Sequence, residues 1–310
     1  MSDPYLPEGR LLHTQANQIL CGALPLLGSA MEQETVLEGR AVWCTPEHDL
    51  SVSLGPFTGL IPREEAALGI REGTAREIAI LSRVGKPIAF TVTDISDQGE
   101  GPQLRLSRRR AQELALDRLL DCPAGTVLPA TVTHLEGFGA FVDVGCGFVS
   151  MIPIENCSVS RIQHPACRFA AGQEVYAVLT GGDRAQGRVT LSHKELLGTW
   201  AENARRFAPG MTVTGYVRGV KPYGSFVELS PNFTGLTDRT EGLREGDRVS
   251  VCIKSILPER MKVKLNVIET LPPSPQPEPF SYFITEGRLE QWCYSPPEYT
   301  QEAVLRRFTA

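Results

Sequence analysis

The chain has 310 residues, 42% hydrophobic and 7% aromatic, with a net charge of −5 and a pI near 5.7. That length leaves room for two or three domains, and the acidic balance excludes a strongly basic coat that holds nucleic acid by charge alone, though not a local basic face. No apolar run of 18 residues occurs and the N-terminus lacks a secretory pattern, so neither a membrane span nor secretion is expected. Eight cysteines without a Cys-x-x-Cys pair read as reduced thiols of a cytoplasmic protein.

Residues 1–33 read as an N-terminal helical segment. Met1–Glu8 is expected to be disordered, and Leu11-Leu-His and Ile19–Leu27 to form one or two short helices that dock onto the next unit. Residues 34–107 alternate apolar and polar, with frequent Gly and Pro, as short strands do. Within them, Pro62-Arg-Glu-Glu-Ala-Ala starts a helical turn. Residues 108–124 form a linker helix, with Arg108-Arg-Arg110 as its solvated start. Residues 125–194 return to strands, with Gly181-Gly182-Asp183 as a hairpin turn. A second linker helix covers 195–209, interrupted at Gly198, and strands resume over 210–269. In 270–310, the run 271–279 is an extended polyproline-like linker. The apolar stretch after it, with Tyr282-Phe-Ile-Thr and Gln291-Trp-Cys-Tyr, folds back on a β unit.

One pattern occurs twice, 85 residues apart from Gly125 to Gly210. The two copies run from Gly125-Thr-Val to Gly137-Phe-Gly-Ala-Phe-Val and from Gly210-Met-Thr-Val to Pro222-Tyr-Gly-Ser-Phe-Val. Each continues through a Gly172 or Gly246 opening to a closer, Val189-Thr-Leu-Ser or Val263-Lys-Leu-Asn. A weaker copy precedes them, opened by Gly39-Arg-Ala-Val-Trp, continued from Gly85 and closed by Leu104-Arg-Leu-Ser107. Phe138 and Phe141 match Tyr223 and Phe226, whereas the first copy has His48 and Ser51 there. Aromatics around a Gly-Ala or Gly-Ser pair suit a strand whose face stays open to a flat ligand such as a nucleobase. Stacking is worth roughly 1–3 kcal/mol per base and tolerates any sequence.

The Gly-Phe-Gly-Ala-Phe-Val and Tyr-Gly-Ser-Phe-Val elements, following the Gly125-Thr-Val and Gly210-Met-Thr-Val openings, resemble the S1 domain of bacterial ribosomal protein S1 and several RNA-processing enzymes. The resemblance covers about two thirds of the chain. It implies a mainly β fold of three tandem five-stranded OB barrels, joined by short helices, with a helical N-terminal segment. It also implies single-stranded RNA (mRNA or rRNA) as partner, the small ribosomal subunit as a further partner, and translation as the setting. S1 domains often carry a His on the RNA face; its position aligns with Ser150, Asp238 and Pro62 here. The first copy therefore makes a poor stacking platform, and the third places an acid near its face.

The RNA-binding candidates are Phe138, Phe141, Tyr223 and Phe226 for stacking, with Arg218, Lys221, Arg188, Lys254, Lys262 and Lys264 for phosphates. Arg218 and Lys221 flank an aromatic pair. Alternation in Met261-Lys-Val-Lys-Leu puts Lys262 and Lys264 on one face. For each cation the plain reading is an ordinary solvated face, as it is for Arg161, Arg168 and Arg184. Cys146, Cys157, His164 and Cys167 are spaced too irregularly for zinc, so no metal is expected. With no phosphate loop and no nucleophile–base arrangement, no enzyme, cofactor, small-molecule substrate or membrane partner is expected. The expected function is non-catalytic RNA binding. The alternative is a protein adapter that docks on the ribosome or another complex with little RNA contact.

Overall fold

Alternation builds the sheets. Val263 and Leu265 point inward while Lys262 and Lys264 face solvent, and Val249, Val251 and Ile253 alternate likewise with half-buried residues. The computed structural model describes residues 5–97, 101–273 and 279–308. Residues 274–278 of the proposed polyproline linker and residues 1–4 of the segment expected to be disordered lie outside them.

Three five-strand units follow one another. The first is a closed barrel of β1 (Leu37–Cys44), β2 (Leu50–Leu54), β3 (Phe57–Ile61), β4 (Pro87–Asp97) and β5 (Pro102–Ser107), in the order β1-β2-β3-β5-β4. The second comprises β6 (Val127–Glu136), β7 (Gly139–Asp143), β8 (Val149–Pro153), β9 (Glu174–Asp183) and β10 (Arg188–Ser192). Its ladder runs β10-β9-β6-β7-β8, and the Ser150 hydroxyl donates to the Val189 carbonyl (2.7 Å) across the gap between β8 and β10. The third closes again with β11 (Thr212–Lys221), β12 (Gly224–Ser230), β13 (Phe233–Thr237), β14 (Arg248–Leu257) and β15 (Lys262–Leu271). All three are mainly antiparallel and OB-like.

Helices fill the intervals. α1 (Gln15–Cys21) and α2 (Leu24–Glu32) pack Cys21, Leu27 and Ala30 into the first core. The short α3 (Ile78–Leu81) lies between β3 and β4. α4 (Arg108–Asp121) is capped by the Ser107 hydroxyl, which accepts from the Arg110 N–H, and buries Arg108, Ala111, Gln112, Ala115 and Leu119 along one face. α5 (Ile154–Cys157) occupies the interval in the second barrel. The second linker is shorter than expected. A 3₁₀ turn at Lys194–Leu197 stops at Gly198, whose φ of +82° ends it, and α6 (Trp200–Ala204) restarts on a Thr199/Glu202 capping box.

The register corrects two sequence alignments and one turn. Each first strand is bulged, at Ala41/Trp43, Val132/His134 and Val217/Gly219. Gly85, Gly172 and Gly246 donate their N–H to Ala41, Val132 and Val217. Gly39 therefore matches Ala130 and Gly215, not Gly125. It is needed because a Cβ there would meet the Ser53 carbonyl and Val52, much as one at Gly215 would meet Glu228 and Val227. The true counterpart of Gly125 and Gly210 is Glu34, which shares their positive φ. Likewise Pro153, not Ser150, matches Pro62 and Asp238, because Phe141 faces Met151 as Phe226 faces Leu236 and Ser51 faces Leu60. Gly147-Phe-Val imitates the motif but opens in the β7–β8 loop. Gly181 and Gly182 lie inside β9, paired with Thr190 and Val189; the Asp183 carboxylate starts the turn later by accepting from Ala185 and Gln186.

The barrels are welded by buried polar contacts. At the first joint, Glu8 accepts from Arg108 (2.7 Å), Arg83 (3.0 Å) and the Ala89 N–H, while its own N–H donates to Asp143. Glu8 is thus ordered, contrary to the expected disorder, and Arg108 is buried rather than solvated. Only a countercharge makes that burial tolerable. Burial raises the Glu8 carboxyl, but Arg108 and Arg83 outweigh it and hold it below the usual range. Arg109 and Arg110 pair with Glu72 and Glu34.

At the second joint, Arg168 of the second barrel binds Glu228 of the third through both terminal nitrogens, and its Nε donates to Ser158. Arg218 adds a contact to Glu228 at 2.9 Å. Asn232 is fully buried: its amide donates to the Lys194 and Gly198 carbonyls and accepts from the Val159 N–H. The C-terminal stretch seals this joint, with β16 (Gln291–Cys293) paired to β17 (Leu305–Arg307) and the Tyr294 hydroxyl donating to the Asn232 carbonyl. Tyr282 and Phe280 pack on the buried His193 of the second barrel.

Two outcomes follow from the joints. Glu228→Gln strands Arg168 without a countercharge and should lower stability by roughly 3 kcal/mol or more, read from urea unfolding; unchanged stability would refute the weld. His193 bridges the Cys157 carbonyl and the Tyr282 hydroxyl as a neutral ring, and burial pushes its pKa down to about 4. Below about pH 6.5 the unfolded chain takes a proton that the folded chain refuses. Stability should therefore fall between pH 6.5 and 4, by roughly 3 kcal/mol from this group. His193→Gln should remove that part of the slope; identical slopes would disprove the assignment.

Candidate nucleic-acid interface

Two-residue turns set the aromatic pairs. Gly137-Phe138 joins β6 to β7, and Pro222-Tyr223 joins β11 to β12. Phe138 and Tyr223 therefore sit in turns, not strands, while Phe141 and Phe226 lie on the outer faces of β7 and β12. The pairs meet edge to face, at 5.9 Å and 6.4 Å between centroids. Phe138 is 58% and Tyr223 65% exposed, and their partners are half-buried. A spacing of three thus brings both rings to one face because the turn, not alternation, aims the first.

Registered rows extend these faces. In the third barrel, Gly219, Phe226, Leu236 and Lys264 lie side by side across β11, β12, β13 and β15. Adjacent strands are about 4.8 Å apart, so Lys264 stands roughly 10 Å from Phe226. In the second barrel the row reads His134, Phe141, Met151. The His134 ring lies flat on Phe141, 4.2 Å between centroids and 8° from parallel. His134 was not singled out from the sequence. Its signal was the bulge position, the same offset from Phe141 as Gly219 is from Phe226. In the first barrel the row is Trp43, Ser51, Leu60, Arg105. Ser51 is buried, and Trp43 is 51% exposed at the position of His134, a ring that the sequence reading missed.

The candidate cations fall into two groups. Lys221, Arg188, Lys262 and Lys264 are exposed and make no ion pair among the described residues. Lys254 is the extra residue of the β14 bulge and approaches Asp238 at 3.5 Å. Arg218 differs: its side chain is only 12% exposed, bonded to Glu228 and lying 5.2 Å from the Tyr216 ring centroid. It belongs as much to the joint as to the face. Arg188 and Thr190 hold the places that Lys262 and Lys264 hold in the third barrel, so the second face is richer in rings and the third richer in charge. Cys146 and Cys157 are buried in separate cores, and all eight cysteines are free. No helix among the described residues is long and apolar enough to cross a membrane.

Residues 121–194 match the family model of the S1 RNA binding domain. The chain is similar to the small ribosomal subunit protein bS1 of Leuconostoc lactis, 33% identical over 189 residues, which cover 55% of this chain and 44% of that protein. It is also similar to a bS1 homolog of Bacillus subtilis, 31% identical over 52% of this chain and 46% of that protein. The chain thus spans under half the length of these relatives. A multidomain protein with nucleic acid binding domains from Streptococcus pneumoniae overlaps 76% of this chain and 73% of its own, at 15% identity and a TM-score of 0.26. The middle barrel is thereby an S1 domain, flanked by two barrels of the same five-strand topology, in a chain similar to bacterial ribosomal protein bS1 over about half its length.

Proposed function

We propose that the chain binds single-stranded RNA without catalysis, through the outer faces of its second and third barrels, in translation on the small ribosomal subunit. One observation carries the reading: two exposed aromatic pairs occupy equivalent turn-and-strand positions in successive barrels, each ready to take a base. The S1 match falls on one of those barrels, and the names of the relatives supply the ribosomal setting, which is cytoplasmic. Bases stack on Phe138, Phe141 and His134, then on Tyr223 and Phe226. Exposed lysines on β15 and Lys221 meet phosphates. Joining the barrels raises the effective concentration of the second contact once the first is made.

Replacing Phe138 and Phe141 by Ala in the full chain, or Tyr223 and Phe226, should weaken RNA binding by about 2 kcal/mol or more in each double variant. Affinity should fall alike for every base composition. The single changes Phe138→Ala and Tyr223→Ala should leave stability within about 0.5 kcal/mol, since both rings are exposed. Large stability losses with full RNA affinity would defeat the reading; melting and titration of the same samples decide it.

Charge separates by a different measurement. Lys262→Ala with Lys264→Ala should flatten the dependence of log K on log salt by about 0.7 for each lost phosphate contact. Arg218→Ala should act mainly on stability, because its guanidinium is committed to Glu228. An unchanged salt slope in the lysine variant would take β15 out of the site.

A further inference from the structure

The aromatic face of the third barrel is not made by that barrel alone. Tyr223 and Phe226 border a groove of about 620 Å³ whose lining includes Val159, Ser160 and Arg161. Those three residues belong to the second barrel, in the segment between β8 and β9. They are fixed in place across the joint. The Val159 N–H donates to the Asn232 side chain (2.9 Å), the Ser160 N–H to the Pro231 carbonyl (3.1 Å), and the Ser160 and Thr234 hydroxyls lie 2.6 Å apart.

The charges in this groove are unequal in availability. Arg218 lines it but is held by Glu228, and the acid Glu245 is engaged by Gln163. Arg161 is exposed and makes no ion pair among the described residues, and the same holds for Lys221. One free cation from each barrel therefore accompanies two rings in one groove. Rings suit a base, and free guanidinium and ammonium groups suit phosphate.

The first joint repeats the layout with a different outcome. There Ala79, Ser82 and Arg83, from the same interval of the first barrel, border a groove of about 400 Å³ with Thr133 and His134 of the second. Arg83, however, is already paired with Glu8 at 3.0 Å. Of these two grooves, only the one at the second joint is lined by a guanidinium of the preceding barrel that has no protein partner among the described residues.

We propose that the second joint is a composite nucleotide site, in which Arg161 of the second barrel binds a phosphate of the RNA whose base stacks on Tyr223 and Phe226 of the third. This rests on the RNA-binding reading above and adds that the third barrel's affinity depends on the second barrel being docked beside it. Arg161 then acts as an affinity residue for a face it does not belong to.

The test uses the full chain and a fluorescein-labelled single-stranded oligouridine, titrated by anisotropy at several salt concentrations. Arg161→Ala should weaken binding about five- to tenfold and flatten the salt slope by about 0.7, whereas Arg161→Lys should keep the slope. Arg76→Ala, which removes an exposed cation of the first barrel, measures the effect of net charge alone. In combination with Tyr223→Ala, Arg161→Ala should cost less than the sum of the two single changes. If Arg161→Ala matches Arg76→Ala while the Tyr223/Phe226 variant still loses RNA, the composite site is wrong and the general reading stands. If neither the rings nor Arg161 matter, both fall.

Discussion

The Arg168–Glu228 pair fixes the arrangement on which the interface depends. Both side chains are only 4% exposed, so neither can fall back on water when the other is removed. A bidentate guanidinium–carboxylate contact is planar and directional. It sets the rotation of one barrel against the next, which apolar contact alone would leave free to slide. The pair is extended by Ser158 on one side and Arg218 on the other, so the joint is a network rather than a point. Glu8 and Arg108 serve the first joint in the same way, with the segment before α1 supplying the acid.

The grooves are consequences of those joints. Each aromatic face lies beside the β3–β4 interval, or its equivalent, of the preceding barrel. Docking therefore converts an open aromatic surface into a walled one. The two faces also differ in kind. The second barrel adds His134 to its rings and keeps Thr190 where the third has Lys264. The third has Gly219 in place of the His and surrounds its rings with lysines. On the proposed RNA-binding reading, one face takes chiefly bases and the other both bases and phosphates.

Much of this was legible in the residues. The repeated Gly-Phe-Gly-Ala-Phe and Tyr-Gly-Ser-Phe elements located both aromatic pairs, and alternation in Lys262–Leu265 placed the lysines outward. The alignments that failed did so for a shared reason. Gly39 and Gly147 look like repeat markers, but glycine serves several purposes. At Gly39 it permits a close strand crossing, and at Gly147 it belongs to a loop. Only the hydrogen-bonded register distinguishes those uses, and it moves the counterpart of Asp238 from Ser150 to Pro153.

The sequence by itself determined the local and repeated features: strand alternation, the first linker helix and the aromatic pairs, because each depends on residues near one another in the chain. Tertiary structure alone decided which charges are free. Arg108, Arg168 and Arg218 read like any other arginines, yet they are consumed by Glu8 and Glu228, residues up to 100 positions away. Arg161 reads the same and is left without a partner among the described residues, beside a face built by another barrel. Pairing of charges across joints depends on how folded units dock, and no local pattern encodes that.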